Sequence, residues 1–138
     1  MNKLKNLFPL FFILFFTPVT FLGQHTLTIE IKGLQNNNGQ IVLEFTNDHG
    51  EKVLGITHPI SENNCVIVIE NLKPGKYAFK YFHDENKNQK LDINWLGIPE
   101  EGFGFSNNAI GKFAPPSLEK TIFELKQDMV LKCTPKYY

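Results

Sequence analysis

Arginine is missing from this chain altogether, and its fourteen lysines are matched by fourteen acids. Without guanidinium groups there is no bidentate reading of base edges. Without a cationic excess there is no patch to follow a phosphate backbone, so nucleic acid is not an expected partner. Cysteine is almost as scarce. Cys65 and Cys133 stand alone, and no cysteine or second histidine lies at zinc-like spacing from His25, His49, His58 or His83. Catalytic signatures are missing as well. Ser106 lacks the flanking glycines of a nucleophile elbow. Gly97–Gly104 lacks the Lys-Ser/Thr and following helix of a phosphate loop. The pair Glu100-Glu101 consists of sequence neighbours that point apart. The chain is expected not to be an enzyme. No window carries a helical stripe of useful length, and there are no internal repeats or low-complexity tracts.

What is present begins with an export signal over 1–23. Lys3 and Lys5 form a basic start, Leu7 to Phe16 an apolar run interrupted by Pro9, and Pro18 precedes a polar exit at Gly23-Gln24. Cleavage after Gly23 is preferred, with Thr20 the rival. The run is short for a membrane span, which needs roughly 20 apolar residues, so no span is expected after signal removal. An uncleaved anchor is the alternative. No cysteine sits at the cleavage point to take a lipid. Losing Lys3 and Lys5 leaves twelve lysines against fourteen acids, a net charge of −2. The chain is expected in the periplasm or cell envelope, or secreted. That oxidising setting permits one disulfide between Cys65 and Cys133, the alternative being two buried thiols.

From 24 to 138 the pattern is that of a single small all-β domain. Leu27, Ile29 and Ile31 alternate with polar residues, as do Ile41, Leu43 and Phe45, and the Asn-rich turn between suggests a hairpin. A weaker strand is expected at 52–57. Cys65–Ile69, apolar on both faces, suggests a central strand. Lys73-Pro74-Gly75 suggests a type II turn with Gly75 at positive φ. Lys76–His83 then places Tyr77, Phe79 and Tyr81 on one face and Ala78, Lys80 and Phe82 on the other. Residues 84–118 form a long aperiodic loop, and 120–125 with 129–134 a closing hairpin. The whole predicts an antiparallel sandwich of about seven strands.

Within the long loop, Asp84, Asn86, Asn88 and Asp92 recur so that several oxygens can face one point. Hard cations such as Ca²⁺ need that, taking six to eight oxygen ligands. On the ligand positions 1, 3, 5, 7 and 9 of a calcium loop fall Asp84, Asn86, Asn88, the Lys90 carbonyl and Asp92, with Leu91 as hydrophobic anchor. Gln89 replaces the turn glycine, so either it accepts positive φ or the turn differs. Trp95 stands where a bidentate acid belongs, and Glu101 is the preferred extra acid. Two certain charges predict weak affinity, roughly 10⁻⁴–10⁻³ M. Asp and Asn making local turns to the backbone would explain the same residues without an ion. A second candidate is an aromatic surface of Trp95, Phe103 and Phe105, for glycans or a peptide or protein ligand; packing over one end of the sandwich is its bland counterpart.

The runs Leu72, Pro74, Gly75, Tyr77, Ala78, then His83–Asp92, then Gly97-Ile98-Pro99-Glu100-Glu101-Gly102-Phe103-Gly104-Phe105-Ser106-Asn107 resemble an uncharacterised bacterial family, domain-of-unknown-function family 2141, over essentially all of 26–138. The Pro-Gly-Tyr run is also similar to transthyretin-like and collagen-adhesin B-type modules. That resemblance implies an immunoglobulin-like or prealbumin-like sandwich and no particular activity. The combined expectation is an exported, non-enzymatic module with a Ca²⁺-stabilised loop at 84–92, or alternatively a glycan- or peptide-binding domain.

Overall fold

The computed structural model describes residues 23–138; the expected export signal, save Gly23, lies outside them. Eight strands follow one another: β1 (His25–Lys32), β2 (Gln40–Asn47), β3 (Lys52–Pro59), β4 (Asn64–Leu72), β5 (Gly75–Asp84), β6 (Phe103–Phe105), β7 (Phe123–Leu125) and β8 (Met129–Cys133). A single helical turn, α1 (Leu118–Thr121), precedes β7. The strands form two sheets, one ordered β4-β1-β8 and the other β3-β2-β5-β6, with β7 also on β5. Among the described residues no helix is long and apolar enough to cross a membrane.

Period-two patterning decides which face of each strand is inward. Leu27, Ile29 and Ile31 of β1 and Ile41, Leu43 and Phe45 of β2 are buried, as are Ile67 and Ile69 of β4 and Phe79 and Tyr81 of β5. They form one core between the sheets. Phe45 stacks on Tyr77 at 5.0 Å, and Phe123 meets Phe79 edge-on at 5.9 Å.

Alternation fixes the buried face but not the neighbour, and three expectations fail for that reason, with a fourth failing at a turn. The β1–β2 hairpin is not formed, since β1 pairs with β4 and β8 while β2 pairs with β3 and β5. No closing hairpin forms either. The segment expected as its first strand opens with α1; then β7 pairs with β5, and β8 crosses to run parallel to β1. β4 is an edge strand, and Val66 and Val68 face solvent on its outer side. At the Pro-Gly turn the positive φ falls on Asn71 (59°), and Gly75 simply begins β5.

The long loop expected at 84–118 is not structureless. It contains β6, a 3₁₀ turn at Ser106–Asn108 and the first residue of α1. β6 and β7 pair with the same edge of β5 in tandem, at 80–82 and 75–77. Between them the Phe79 backbone would be left without a partner. Ser106 fills the gap: its Oγ accepts from Phe79 N–H at 3.1 Å and donates to the Thr121 carbonyl. A buried backbone N–H needs such a partner, which gives the fully buried Ser106 a structural task.

Cys65 and Cys133 are free and buried. Both are in register with Ile31, Cys65 from β4 on one side and Cys133 from β8 on the other. A whole strand therefore separates them, about 10 Å from Cα to Cα at ordinary strand spacing, beyond the reach of a disulfide. The disulfide expectation is corrected to two buried thiols.

Candidate functional site

The 84–92 loop leaves the end of β5 and wraps around Asp84, whose side chain is fully buried. Its Oδ1 accepts from Asn88 N–H at 3.0 Å, and its Oδ2 accepts from Gln89 N–H at 3.0 Å and the Gln40 amide at 2.8 Å. Each following Asn then turns the chain on itself. Asn86 Oδ1 accepts from Asn88 N–H at 3.1 Å and Asn88 Oδ1 from Lys90 N–H at 2.9 Å. These i to i+2 bonds are Asx turns, the local competitors of regular structure. The curl needs left-handed residues. Lys87 (φ 59°) and Gln89 (φ 66°) supply them, Gln89 being the residue where the loop pattern demanded positive φ.

The curl brings polar side chains together on its exposed side. Asp92 Oδ2 lies 2.7 Å from Asn86 Nδ2, and Asp92 Oδ1 lies 2.9 Å from Asn88 Nδ2. Asn86, Asn88 and Asp92 thus share one hydrogen-bonded cluster, which Asp84 joins from the buried side through the Asn88 N–H. Lys90 enters it through its N–H. Among the described residues, no three His, Cys, Asp or Glu side chains meet as a ready metal cluster. Two carboxylates and two amides are what the loop has to offer, a set suited to a hard, weakly held cation.

Glu101 is buried, and its two oxygens accept from Glu85 N–H (2.9 Å) and Asp92 N–H (3.1 Å), so it buckles the two ends of the loop together.

The loop is also tied to the β1–β2 turn. His83 is fully buried, with Nε2 2.7 Å from the Asn38 carbonyl and Nδ1 2.9 Å from the Tyr137 hydroxyl. A carbonyl only accepts, so Nε2 carries the proton. The Tyr137 hydroxyl beside Nδ1 also accepts from Gln35 N–H at 3.3 Å. Both ring nitrogens are taken, which removes His83 as a ligand. Burial pushes the Tyr137 hydroxyl up; the Gln35 N–H partly lowers it and Glu85 raises it further. Gly39 completes the contact. At φ 72° it lies against the loop backbone so closely that a Cβ would fall 1.9 Å from the Asp84 carbonyl oxygen.

The aromatic candidates separate. Trp95 is 90% exposed, displayed by a turn in which Asn94 Oδ1 accepts from Leu96 and Ile98 N–H groups at 2.9 and 3.1 Å. Phe103 and Phe105 are half-buried on the outer face of the five-stranded sheet, edge-on to each other at 6.2 Å, and Phe103 stacks on Tyr138. Trp95 does not line the groove in which Phe103 and Phe105 take part. They share that groove, of about 770 Å³, with Val42, Phe82 and Leu91.

Sequence reasoning missed Gln40, Asn38 and Tyr137, which hold the loop from far along the chain, and Phe82, which joins the groove. Phe82 carried a signal, since it alternates with the inward Tyr81. Tyr137 had none. The model of a family described as an uncharacterized protein conserved in bacteria (DUF2141) matches residues 29–132. No curated protein and no solved structure matches the chain.

Proposed function

The chain belongs to the uncharacterised bacterial family DUF2141, and from that premise we propose an exported, non-enzymatic β-sandwich module whose 84–92 loop is stabilised by Ca²⁺. One observation carries the reading: Asp84, Asn86, Asn88 and Asp92 belong to one cluster within a single curl of chain. A carbonyl or carboxylate oxygen has two lone pairs, so an oxygen that accepts a backbone N–H can still face an ion. A divalent ion entering the cluster would take the Asp92 carboxylate from the two Asn amides that hold it. Glu101 and His83 act behind the loop, keeping its ends and base in place.

Support for a non-catalytic role comes from the chemistry-bearing side chains. Ser106 is sealed inside the sheet edge, both nitrogens of His83 are engaged, and Glu101 holds backbone amides. The cell envelope or the medium is the proposed location, resting on the basic, apolar and polar succession at the chain start.

Calorimetric titration of Ca²⁺ into metal-free protein tests the site, with Asp92→Asn as the comparison. Asp92 is partly exposed, so the change leaves the fold intact while removing one of two charges. Affinity is expected to fall about tenfold, since ligand charge sets the dissociation constant of such loops. Equal heats for both proteins would refute the assignment.

A further inference from the structure

We propose that the outer face of the five-stranded sheet binds an elongated amphipathic carboxylate of the fatty-acid type. The inference goes beyond the cation loop and does not rest on it. Inward residues Leu43 and Tyr81 fix the opposite orientation for Val42 and Phe82. Register then sets Thr57, Val42, Phe82 and Phe103 side by side across β3, β2, β5 and β6. Three of these four are apolar, and Phe105 lies beside them. Leu91 and Pro115 wall the groove, whose volume of about 770 Å³ lies within the range of small-molecule sites. Crossing three strand intervals, the row is roughly 14 Å long, the span of a medium-chain acyl group.

Charge selects the head group. The polar row beneath contains Glu44 and Lys80, paired at 3.0 Å and so mutually neutralised. Lys52, at the β3 end of the groove, is in no ion pair among the described residues. Its ammonium lies over Gly55, where a Cβ would come within 3.0 Å of Nζ, so the missing side chain is what admits it. The lining thus carries one uncompensated positive charge at one end and aromatic rings at the other. An acyl carboxylate matches both, with its head at Lys52 and its tail over Phe82 and Phe103. A neutral sugar would leave Lys52 unanswered and find few acceptors along the Phe row.

Calorimetry with dodecanoate, octanoate, dodecanol and maltohexaose tests this on the protein without its leader. The expected result is saturable one-to-one binding of dodecanoate, weaker binding of octanoate, and none of maltohexaose. Lys52→Gln should weaken dodecanoate by about two- to fivefold, the size of an exposed ion pair, and leave dodecanol unchanged. Val42→Glu, which puts an unpaired carboxylate under the tail, should weaken it more than about tenfold. Because Lys52 is exposed, its variant folds even if the Val42 variant does not. Absence of saturable dodecanoate binding, indifference to Lys52→Gln, or preferential binding of maltohexaose would each overturn the proposal.

Discussion

Gly39 is the residue on which the loop's seating most plainly depends. Its φ of 72° disfavours any Cβ, and the space a Cβ would need is already held by the Asp84 carbonyl. Gly39→Ala is therefore expected to destabilise the protein by at least about 2 kcal/mol, combining left-handed strain with a backbone clash. Urea unfolding measures it. Asp84 is the partner whose loss should be felt next. Three N–H donors converge on its two oxygens, and Asp84→Ala would leave them facing a buried void. The expected loss is about 2–4 kcal/mol, from stranded donors more than from the bonds themselves. Ser106→Ala should cost about 1–3 kcal/mol for the same reason, with no effect on any loop property. A change in Ca²⁺ response in that variant would mean the sheet edge and the loop are coupled.

At the scale of elements, the alternating residues of β1, β2 and β5 made their inward faces legible. The Asx spacing of 84–92 likewise announced a curl that Gln89 duly enters at positive φ. Pairing partners were not legible, because Leu27-Ile29-Ile31 buries the same face whether its neighbour is β2 or β4. The tethers of the loop were equally hidden. Asn38 and Tyr137 reach His83 across 45 and 54 residues, and only the folded chain brings such separations to zero. The order β4-β1-β8 carries its own prediction. With β1 between them, Cys65 and Cys133 should both titrate as free thiols in denatured protein that has never met reductant. Burial pushes each thiol from 9.0 up to about 11, and burial first, then Cys133 and Tyr137, raises the Tyr81 hydroxyl. These acids ionise more readily in the unfolded chain. The thiols' contribution is therefore complete below pH 9 and is lost as pH rises from 9 towards 11, while that of Tyr81 begins to be lost only above pH 10. The urea midpoint should fall over that window, and fall less in the Cys65→Ala/Cys133→Ala protein.

For the whole molecule, two sheets close over one core while their outer features face the solvent separately. The 84–92 curl stands at the end of β5, and Leu91, within that curl, walls the groove over Phe82 and Phe103. The proposed cation loop and the proposed binding groove are thus neighbours on one surface. In a thermal melt of metal-free protein with rising Ca²⁺, stability should increase by about 1.4 kcal/mol at ten times the dissociation constant, and the tenfold weaker Asp92→Asn should gain only about 0.4 kcal/mol at the same Ca²⁺ concentration. A melting temperature that stays fixed through millimolar Ca²⁺ would contradict the proposed cation loop.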